Sequence, residues 1–253
     1  MKHSEFLHSL RKNWPLIVLV VLVDIFFFYA FSKVYIAEFQ TLSIQMTKMN
    51  AFLQTNVGSF VQTQDVNALN VDFSEFDAVA KTIYWSIARV LAYLLSFWIL
   101  FQGSAWLFCS RMAEHKVDVP KFVGKFVVVS LIGFAAVLGV MAGAVWLAYR
   151  SYTTALPLIG HTGIIILAMT AILVLLYGVC VGYAVPLKRW WATVKNYRVG
   201  MTYVCSLILF VVLYYGLLWL AQTAVLVALA YAIIVVLPLL VLARVYFIKK
   251  CEE

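Results

Sequence analysis

Six stretches of this 253-residue chain are long and apolar enough to cross a lipid bilayer as helices. A membrane-spanning helix needs about 20 predominantly apolar residues, because the hydrocarbon layer is about 30 Å thick. The composition agrees, since 65% of the residues are hydrophobic and 12% are charged, against roughly 45–50% and 25% in soluble domains. The sequence therefore predicts an all-α, polytopic membrane protein with six transmembrane helices in three antiparallel hairpins. The predicted spans are 15–33, 82–108, 126–149, 162–185, 201–220 and 223–243.

The last two predicted spans are separated only by a two-residue turn at 221–222. One continuous helix is the alternative, but about 43 apolar residues would be twice the thickness of the membrane. We therefore expect a tight hairpin, in which Pro238 bends the last helix. The first span also resembles a signal peptide, but its apolar run is too long and contains Asp24, so we expect a retained anchor.

Basic residues are distributed unevenly between the two sides of this predicted bundle. Of the 19 Lys and Arg residues, 14 fall on one side, four on the other, and Arg89 lies within a span. Because Lys and Arg concentrate in cytoplasmic loops, we expect both termini in the cytoplasm and the protein in the plasma membrane of a prokaryote. The predicted cytoplasmic segments are 1–14, 109–125, 186–200 and 244–253, and the outer segments are 34–81, 150–161 and 221–222. The net charge of +8 then reflects topology and attraction to anionic lipid head groups, and we expect no nucleic-acid partner.

Segment 34–81 is the largest predicted segment outside the membrane, and its first part carries a heptad pattern. Apolar residues recur at spacings of 4, 3, 4, 3 and 4 between polar residues, which is typical of a coiled-coil seam. We call these residues the seam: Tyr35, Phe39, Leu42, Met46, Met49 and Leu53. The pattern predicts that the first membrane helix continues outward to about Leu53, some 30 Å beyond the bilayer, and ends near Gly58.

A second outer helix is predicted to return towards the membrane after a polar loop at 59–71. Asp72 followed by Glu75 has the spacing of a helix start. We expect the two helical arms either to pack on each other as an antiparallel pair or to present the seam to another subunit. A helix lying flat on the membrane is less favoured, because the polar face has few basic residues and no Trp.

Two ionisable residues, Asp24 and Arg89, lie within predicted spans of adjacent helices. Antiparallel packing of these helices would place the two residues within about 6 Å of each other in depth. Ionisable residues inside a membrane pair with one another or line a pathway. The sequence predicts an ion pair between them, and we favour a structural role because a proton-coupled transporter would carry more titratable groups along a path.

Small residues recur at four-residue spacing in two neighbouring spans, a pattern that lets helix backbones approach closely. They are Ala135, Gly139 and Gly143 in the third span, and Gly178 and Gly182 in the fourth. We expect these residues to pack the two helices of one hairpin together, and homodimerisation through the same faces is the alternative.

Basic and aromatic residues alternate in the predicted loop after the fourth span. Their position directly between two spans is typical of an anchor at the level of the lipid head groups. The residues of this anchor are Lys188, Arg189, Trp190, Trp191, Lys195, Tyr197 and Arg198.

The motifs of common membrane enzymes are absent from the sequence, which has no HExxH, P-loop or G-x-S-x-G. Glu114, His115 and Asp118 are the nearest approach to a metal group, and His161 has no identifiable acid or oxyanion partner. The four cysteines form no CxxC pair and none lies in 34–81, so we expect reduced thiols. We therefore expect no catalytic residues, metal or cofactor.

These observations favour a non-enzymatic accessory, scaffold or assembly subunit. Such a subunit would contact the lipid bilayer and a partner protein, or a second copy of itself, through its outer segment. The alternative is a small transporter or channel for a lipid or apolar solute that uses Asp24 and Arg89. An enzyme acting at the lipid surface ranks third, and would need His161 or the group at Glu114, His115 and Asp118.

Overall fold

The computed structural model of this protein describes residues 13–63, 74–113, 117–153 and 160–252. Within these ranges the chain is helical apart from short turns, and no strand occurs. Six helices in the described part are long and apolar enough to span a membrane. This confirms the sequence prediction of an integral, multi-pass membrane protein whose helices contact lipid.

The helices are numbered here in chain order. Helix α1 spans Trp14–Thr63. Helix α2 spans Ser74–Phe97 and continues through a π-helical turn, Trp98–Gln102, into α3 at Gly103–Met112. Helices α4, α5 and α6 span Val119–Thr153, His161–Ala184 and Leu187–Val194. Helix α7 spans Tyr197–Thr223, and α8 at Val225–Tyr231 continues through a second π-helical turn, Ala232–Val236, into α9 at Leu237–Glu252.

Several helices extend beyond the predicted spans, so the connections between them are shorter than expected. Helix α9 continues through the predicted tail 244–253 to Glu252, and the predicted loop 186–200 contains α6. Hydropathy detects only the apolar part of a helix, which fits the hydrocarbon layer. Polar helical turns that extend beyond this layer are not detected by hydropathy, so the helices are longer than the predicted spans. The turn between the last two spans lies at Ala224, whose extended backbone (φ −155°, ψ 103°) separates α7 from α8.

Helix α1 is much longer than a membrane crossing requires. It contains 50 residues, or about 75 Å at 1.5 Å per residue, against a hydrocarbon layer of about 30 Å. The predicted stop at Gly58 is wrong, because the helix continues to Thr63. One glycine in a helix interior costs only about 1 kcal/mol relative to Ala, which is too little to end a long helix. The predicted helix start at Asp72 lies outside the described residues.

The structure separates into two compact units. Unit 1 comprises the chain up to Ile25 and from Ile99 onward, and unit 2 is Phe26–Trp98. In unit 1, α4 packs along α5, α7 packs along α8 and α9, and α9 also contacts α3 and α5.

Most buried apolar residues of unit 1 lie towards one end of its helices. This end, which we call the packed end, contains the starts of α1, α4 and α7 and the ends of α3, α5 and α9. Its buried residues include Ile17, Val20, Trp106, Cys109, Met112, Phe126, Val181, Val199, Val241, Val245 and Ile248. The opposite halves of α4, α5 and α7 carry large exposed apolar side chains such as Trp146, Ile166 and Trp219. Helices that are apolar on all sides are typical of membrane spans.

Unit 2 consists of the remainder of α1 and the facing length of α2. Three contacts connect the two helices: the rings of Phe27 and Trp98 lie 6.2 Å apart, Glu38 binds Arg89, and the rings of Phe52 and Phe76 lie 5.7 Å apart. As the residue numbers rise along α1 they fall along α2, so the two chain segments run in opposite directions.

Candidate functional site

Three polar side chains meet within the packed end of unit 1: Asp24 on α1, Gln102 at the end of the first π-helical turn, and Arg244 on α9. Nη1 of Arg244 lies 3.0 Å from Oδ2 and 3.3 Å from Oδ1 of Asp24. Nε2 of Gln102 donates to Oδ1 of Asp24 at 2.8 Å, and Nη2 of Arg244 donates to Oε1 of Gln102 at 3.0 Å. We call these residues the triad, in which each side chain binds the other two.

The triad is almost completely enclosed by protein. The exposed fraction of the side chain is 1% for Asp24 and 20% for Arg244, and Gln102 is 3% exposed. Moving a carboxylate from water into a protein interior costs several kcal/mol, and a buried ion pair compensates this only when its geometry and remaining hydrogen bonds are good. The guanidinium and the amide supply those bonds, so the triad is a neutral, internally satisfied cluster.

Helix geometry explains why these three residues can meet. Asp24 follows the start of α1 by ten residues, Gln102 precedes the end of α3 by ten, and Arg244 precedes the end of α9 by eight. All three therefore lie about 12–15 Å along their helices from the packed end.

A π-helical turn occurs in each of the two spans that supply a partner to Asp24, namely the span of α2 and α3 and the span of α8 and α9. The first turn ends at Gln102 itself, and the second, Ala232–Val236, comes immediately before Leu237 and Pro238. Proline lacks the backbone N–H of a regular helix and its ring displaces the carbonyl four residues earlier, so a wider turn accommodates Pro238. The distortion predicted at Pro238 therefore takes the form of a π-helical turn. Such turns rotate the rest of the helix and often occur at functional sites.

The predicted pairing of Asp24 with Arg89 is replaced by two separate ion pairs. Asp24 binds Arg244, while Arg89 contacts both carboxylate oxygens of Glu38, at 3.0 and 3.2 Å, and the hydroxyl of Ser86 at 3.1 Å. Arg244 was missed because the hydropathy boundary at residue 243 assigned it to the cytoplasmic tail. Arg244 precedes the end of α9 by eight residues and Asp24 follows the start of α1 by ten. Counting the helical rise from these two chain ends would have placed both residues at a similar depth.

A second buried polar group joins α4 to the end of α5. The hydroxyl groups of Ser130 and Tyr183 lie 2.9 Å apart. Nζ of Lys125 donates to the backbone carbonyls of Tyr183 at 2.8 Å and Val185 at 3.2 Å. Helix α5 ends at Ala184, and the last carbonyls of a helix need donors from outside it, so the lysine supplies such donors and a favourable positive charge.

Of the small residues predicted to pack α4 against α5, Gly182 makes such a contact, whereas the predicted residues of α4 do not. Ala135, Gly139 and Gly143 are all exposed, and an added Cβ at either glycine would meet nothing within 4 Å. The close approach lies elsewhere on α4, at Gly133, where a Cβ would lie 2.5 Å from Cγ2 of Val179.

On α5, both predicted glycines make close contacts. A Cβ at Gly182 would lie 2.9 Å from Cγ1 of Val129, and one at Gly178 would lie 3.3 Å from the ring of Trp190. Only Gly182 therefore meets α4, while Gly178 meets Trp190 of α6. On α4 several faces carry small residues, and spacing alone selected an exposed one.

The predicted head-group anchor forms α6 and the start of α7. Trp190 departs from the prediction: it is half-buried against α5, and its Nε1 donates to the carbonyl of Gly178 at 2.8 Å. Trp191 and Tyr197 are exposed, and Nζ of Lys195 lies 4.8 Å from the centre of the Trp191 ring. Lys188, Arg189 and Arg198 are exposed as well.

The seam is divided between a covered part and an exposed part. Leu42 and Met49 are half-buried, whereas the exposed fractions of Tyr35, Phe39 and Met46 are 47%, 55% and 48%. The side chain of Leu53 lies outside the described residues. Along the seam, contacts to the segment Ser74–Phe97 come from a neighbouring face of α1, which carries Glu38 and Phe52.

The exposed part of the seam continues a row of aromatic residues along α1. The ring centres of Phe27 and Phe31 lie 6.2 Å apart, those of Phe31 and Tyr35 lie 6.1 Å apart, and those of Tyr35 and Phe39 lie 5.6 Å apart. These distances are typical of aromatic pairs that stabilise each other. The row therefore forms a continuous apolar strip on one side of the helix, which is buried at Phe27 and exposed from Tyr35 onward.

The groups considered for catalysis or metal binding are not assembled in the described residues. No cluster of three or more His, Cys, Asp or Glu side chains occurs there. Asp118 is exposed and bound to Lys121 at 2.7 Å, which lowers the pKa of the Asp118 carboxyl below its usual value. Glu114, His115 and the side chain of His161 lie outside the described residues. The four cysteines are free thiols.

Comparison with known proteins identifies no relative: no protein-family model, no curated protein and no solved structure matches this chain. Its function must therefore be argued from its own residues.

Proposed function

We propose that this protein is a non-enzymatic accessory, scaffold or assembly subunit of the membrane. The proposal rests on one observation: helix α1 is too long for the bilayer, and its apolar strip is exposed within unit 2 from Tyr35 onward. In this arrangement the six spans form three antiparallel hairpins with both termini in the cytoplasm, and the second half of α1 projects outward as an arm. Positive charges concentrated on one side of the spans support this orientation.

The strip is suited to protein contact. If the membrane part of α1 ends near residue 33, about 30 residues remain, or some 45 Å of helix. Tyr35, Phe39 and Met46 then lie on one side of a helix in water. Contiguous exposed apolar residues mark interaction sites, and aromatic residues and Met are enriched in such interfaces.

Site-specific photocrosslinking in native membranes tests this proposal. A photoreactive residue at Phe39 or Met46 should capture one stoichiometric partner, because the strip faces that partner. The matched control positions are Gln40 and Thr47, which are exposed polar residues on another side of the same helix turns. Equal capture from both sides, or none from the strip, contradicts the proposal.

Charge substitutions separate loss of a partner from loss of the fold. Phe39→Asp combined with Met46→Asp should abolish co-purification of the crosslinked partner while the helical content and unfolding midpoint stay those of the wild type. Gln40→Asp with Thr47→Asp introduces the same charges and should leave the partner bound. If the strip variant assembles normally, the exposed strip has no role in association.

A transporter or channel for a lipid or apolar solute remains the second candidate, and the buried triad favours it. Ionisable groups inside a membrane commonly serve transport. This alternative expects Asp24→Asn to alter solute flux in reconstituted liposomes without loss of folded protein. Loss of folded protein with unaltered flux per molecule would assign the triad to structure.

A further inference from the structure

An apolar groove runs between α5 and α7 in unit 1. Its volume is about 610 Å³, and its lining comes from both helices. Its lining includes Leu173, Val174 and Tyr177 of α5 and Tyr203 of α7. The two tyrosine hydroxyls are already occupied, since Tyr203 donates to the carbonyl of Leu173 at 3.2 Å and Tyr177 to that of Val194 at 3.0 Å. An apolar ligand in the groove would therefore leave neither tyrosine hydroxyl without a hydrogen-bond partner.

The size and direction of the groove match half a bilayer. Its lining on α7 extends from Gly200 to Val212, which is about 18 Å of helix. One leaflet contributes about 15 Å of hydrocarbon. A guest that enters beside Gly200 and follows α7 would therefore reach approximately the bilayer centre.

One end of the groove adjoins the basic anchor. Tyr177, a lining residue, bonds to the carbonyl of Val194 on α6, and Gly200 follows Arg198 by two residues. Four exposed cations lie on α6 or between α6 and the part of α7 that begins the groove: Lys188, Arg189, Lys195 and Arg198. The sequence contains no Asp or Glu between Asp118 and Glu252, so the helices that line the groove and α6 carry cations and no carboxylate.

We propose that the groove binds one anionic phospholipid, with an acyl chain between α5 and α7 and the phosphate against the cations of α6 and early α7. Two features match the two parts of such a lipid: an apolar groove one leaflet deep, and positive charge near its membrane-surface end. Trp191 and Tyr197 are exposed at the same end, where amphipathic rings mark the head-group level. An apolar protein helix could fill the groove, but it would bring no negative charge to the neighbouring cations.

Native mass spectrometry of the purified full-length protein tests this site. The probes are phosphatidylglycerol and phosphatidylcholine with identical acyl chains, added separately in detergent micelles. One phosphatidylglycerol should be retained at roughly tenfold lower lipid concentration than phosphatidylcholine. A triple variant should weaken phosphatidylglycerol binding by roughly 10- to 100-fold: Lys188→Gln, Arg189→Gln and Lys195→Gln. The reason is that each cation near an anionic head group increases the binding affinity about fivefold.

A matched triple variant controls for net charge. Lys33→Gln, Lys48→Gln and Lys81→Gln remove the same three charges from unit 2 and should leave binding unchanged. Equal retention of the two lipids, or equal losses in the two triple variants, overturns the head-group site.

Filling the groove tests the acyl-chain site independently. Val174→Trp places an indole in the groove and should reduce retention of phosphatidylglycerol at least fivefold. Ile132→Trp adds the same ring at an exposed position of α4 and should have no effect. If Val174→Trp behaves like Ile132→Trp while both remain folded, the groove does not hold the chain. Because these readouts concern lipid alone, they are independent of the partner captured by the arm.

Discussion

Removing the charge of Arg244 should destabilise the protein more than any other single charge removal in the described spans. Arg244→Gln keeps a polar side chain but leaves the Asp24 carboxylate, 1% exposed, with amide donors alone. Breaking a buried ion pair by removing one partner costs about 3–5 kcal/mol. Arg244 is itself one-fifth exposed, so we expect the lower end of that range, about 3 kcal/mol.

The double variant is the decisive part of this experiment. Asp24→Asn combined with Arg244→Gln removes both charges and preserves groups that hydrogen-bond, so it should cost only about 1 kcal/mol. The expected coupling energy between the two positions is therefore at least about 2 kcal/mol. Ordinary hydrogen bonds inside membrane proteins couple by about 0.6 kcal/mol on average, so the magnitude distinguishes a buried charge pair from a polar contact.

The free energies can be measured by equilibrium unfolding in mixed micelles with increasing sodium dodecyl sulfate. Arg89→Gln is the control, because Arg89 also binds a carboxylate, but its side chain is 50% exposed; an exposed pair contributes about 0–1 kcal/mol. Additive effects of the two triad substitutions, or equal costs for Arg89→Gln and Arg244→Gln, would refute the reasoning.

The same unfolding assay tests three further contacts. Tyr183→Phe should cost about 1 kcal/mol, because it leaves the buried hydroxyl of Ser130 without its partner. Gly182→Ala should cost about 1–3 kcal/mol through overpacking, whereas Gly139→Ala, whose new methyl group meets nothing within 4 Å, should be neutral or stabilise by up to about 1 kcal/mol. Trp190→Phe should cost about 1 kcal/mol by removing the donor to the α5 backbone. Equal effects at the two glycines would contradict the packing described between α4 and α5.

The fold class could be predicted from the sequence because each span satisfies a simple requirement of the bilayer. The length of hydrocarbon to be crossed and the dominance of apolar residues leave few alternatives to a helix. The continuation of α1 well beyond residue 33 was also predictable from the heptad spacing, although its end at Thr63 was not. Helix ends such as Thr63 depend on small free-energy differences, which composition does not reveal.

The candidate site was only half predictable. Asp24 stands out in the sequence because a charge within an apolar run demands a partner. Its partners depend on which helices are neighbours in space, and Arg244 is 220 residues away in the chain. Sequence order favoured an ion-pair partner for Asp24 in the next span along the chain. In the folded chain, the partner of Asp24 on the first helix is instead Arg244 on the last helix. Gln102 also depends on a π-helical turn, which leaves no periodic signal in the residues around it.

The separation of Asp24 and Arg244 has a consequence for biosynthesis. Ribosomes add roughly 5–20 residues per second, so the carboxylate of the first helix exists for roughly 10–45 s before the arginine that neutralises it is made. During this interval five helices must be inserted while the first retains an unmatched charge. The triad can therefore form only after the last helix has been synthesised and inserted. A chain truncated before Arg244 would keep Asp24 without its ion-pair partner, which would make it a target for membrane quality-control proteases.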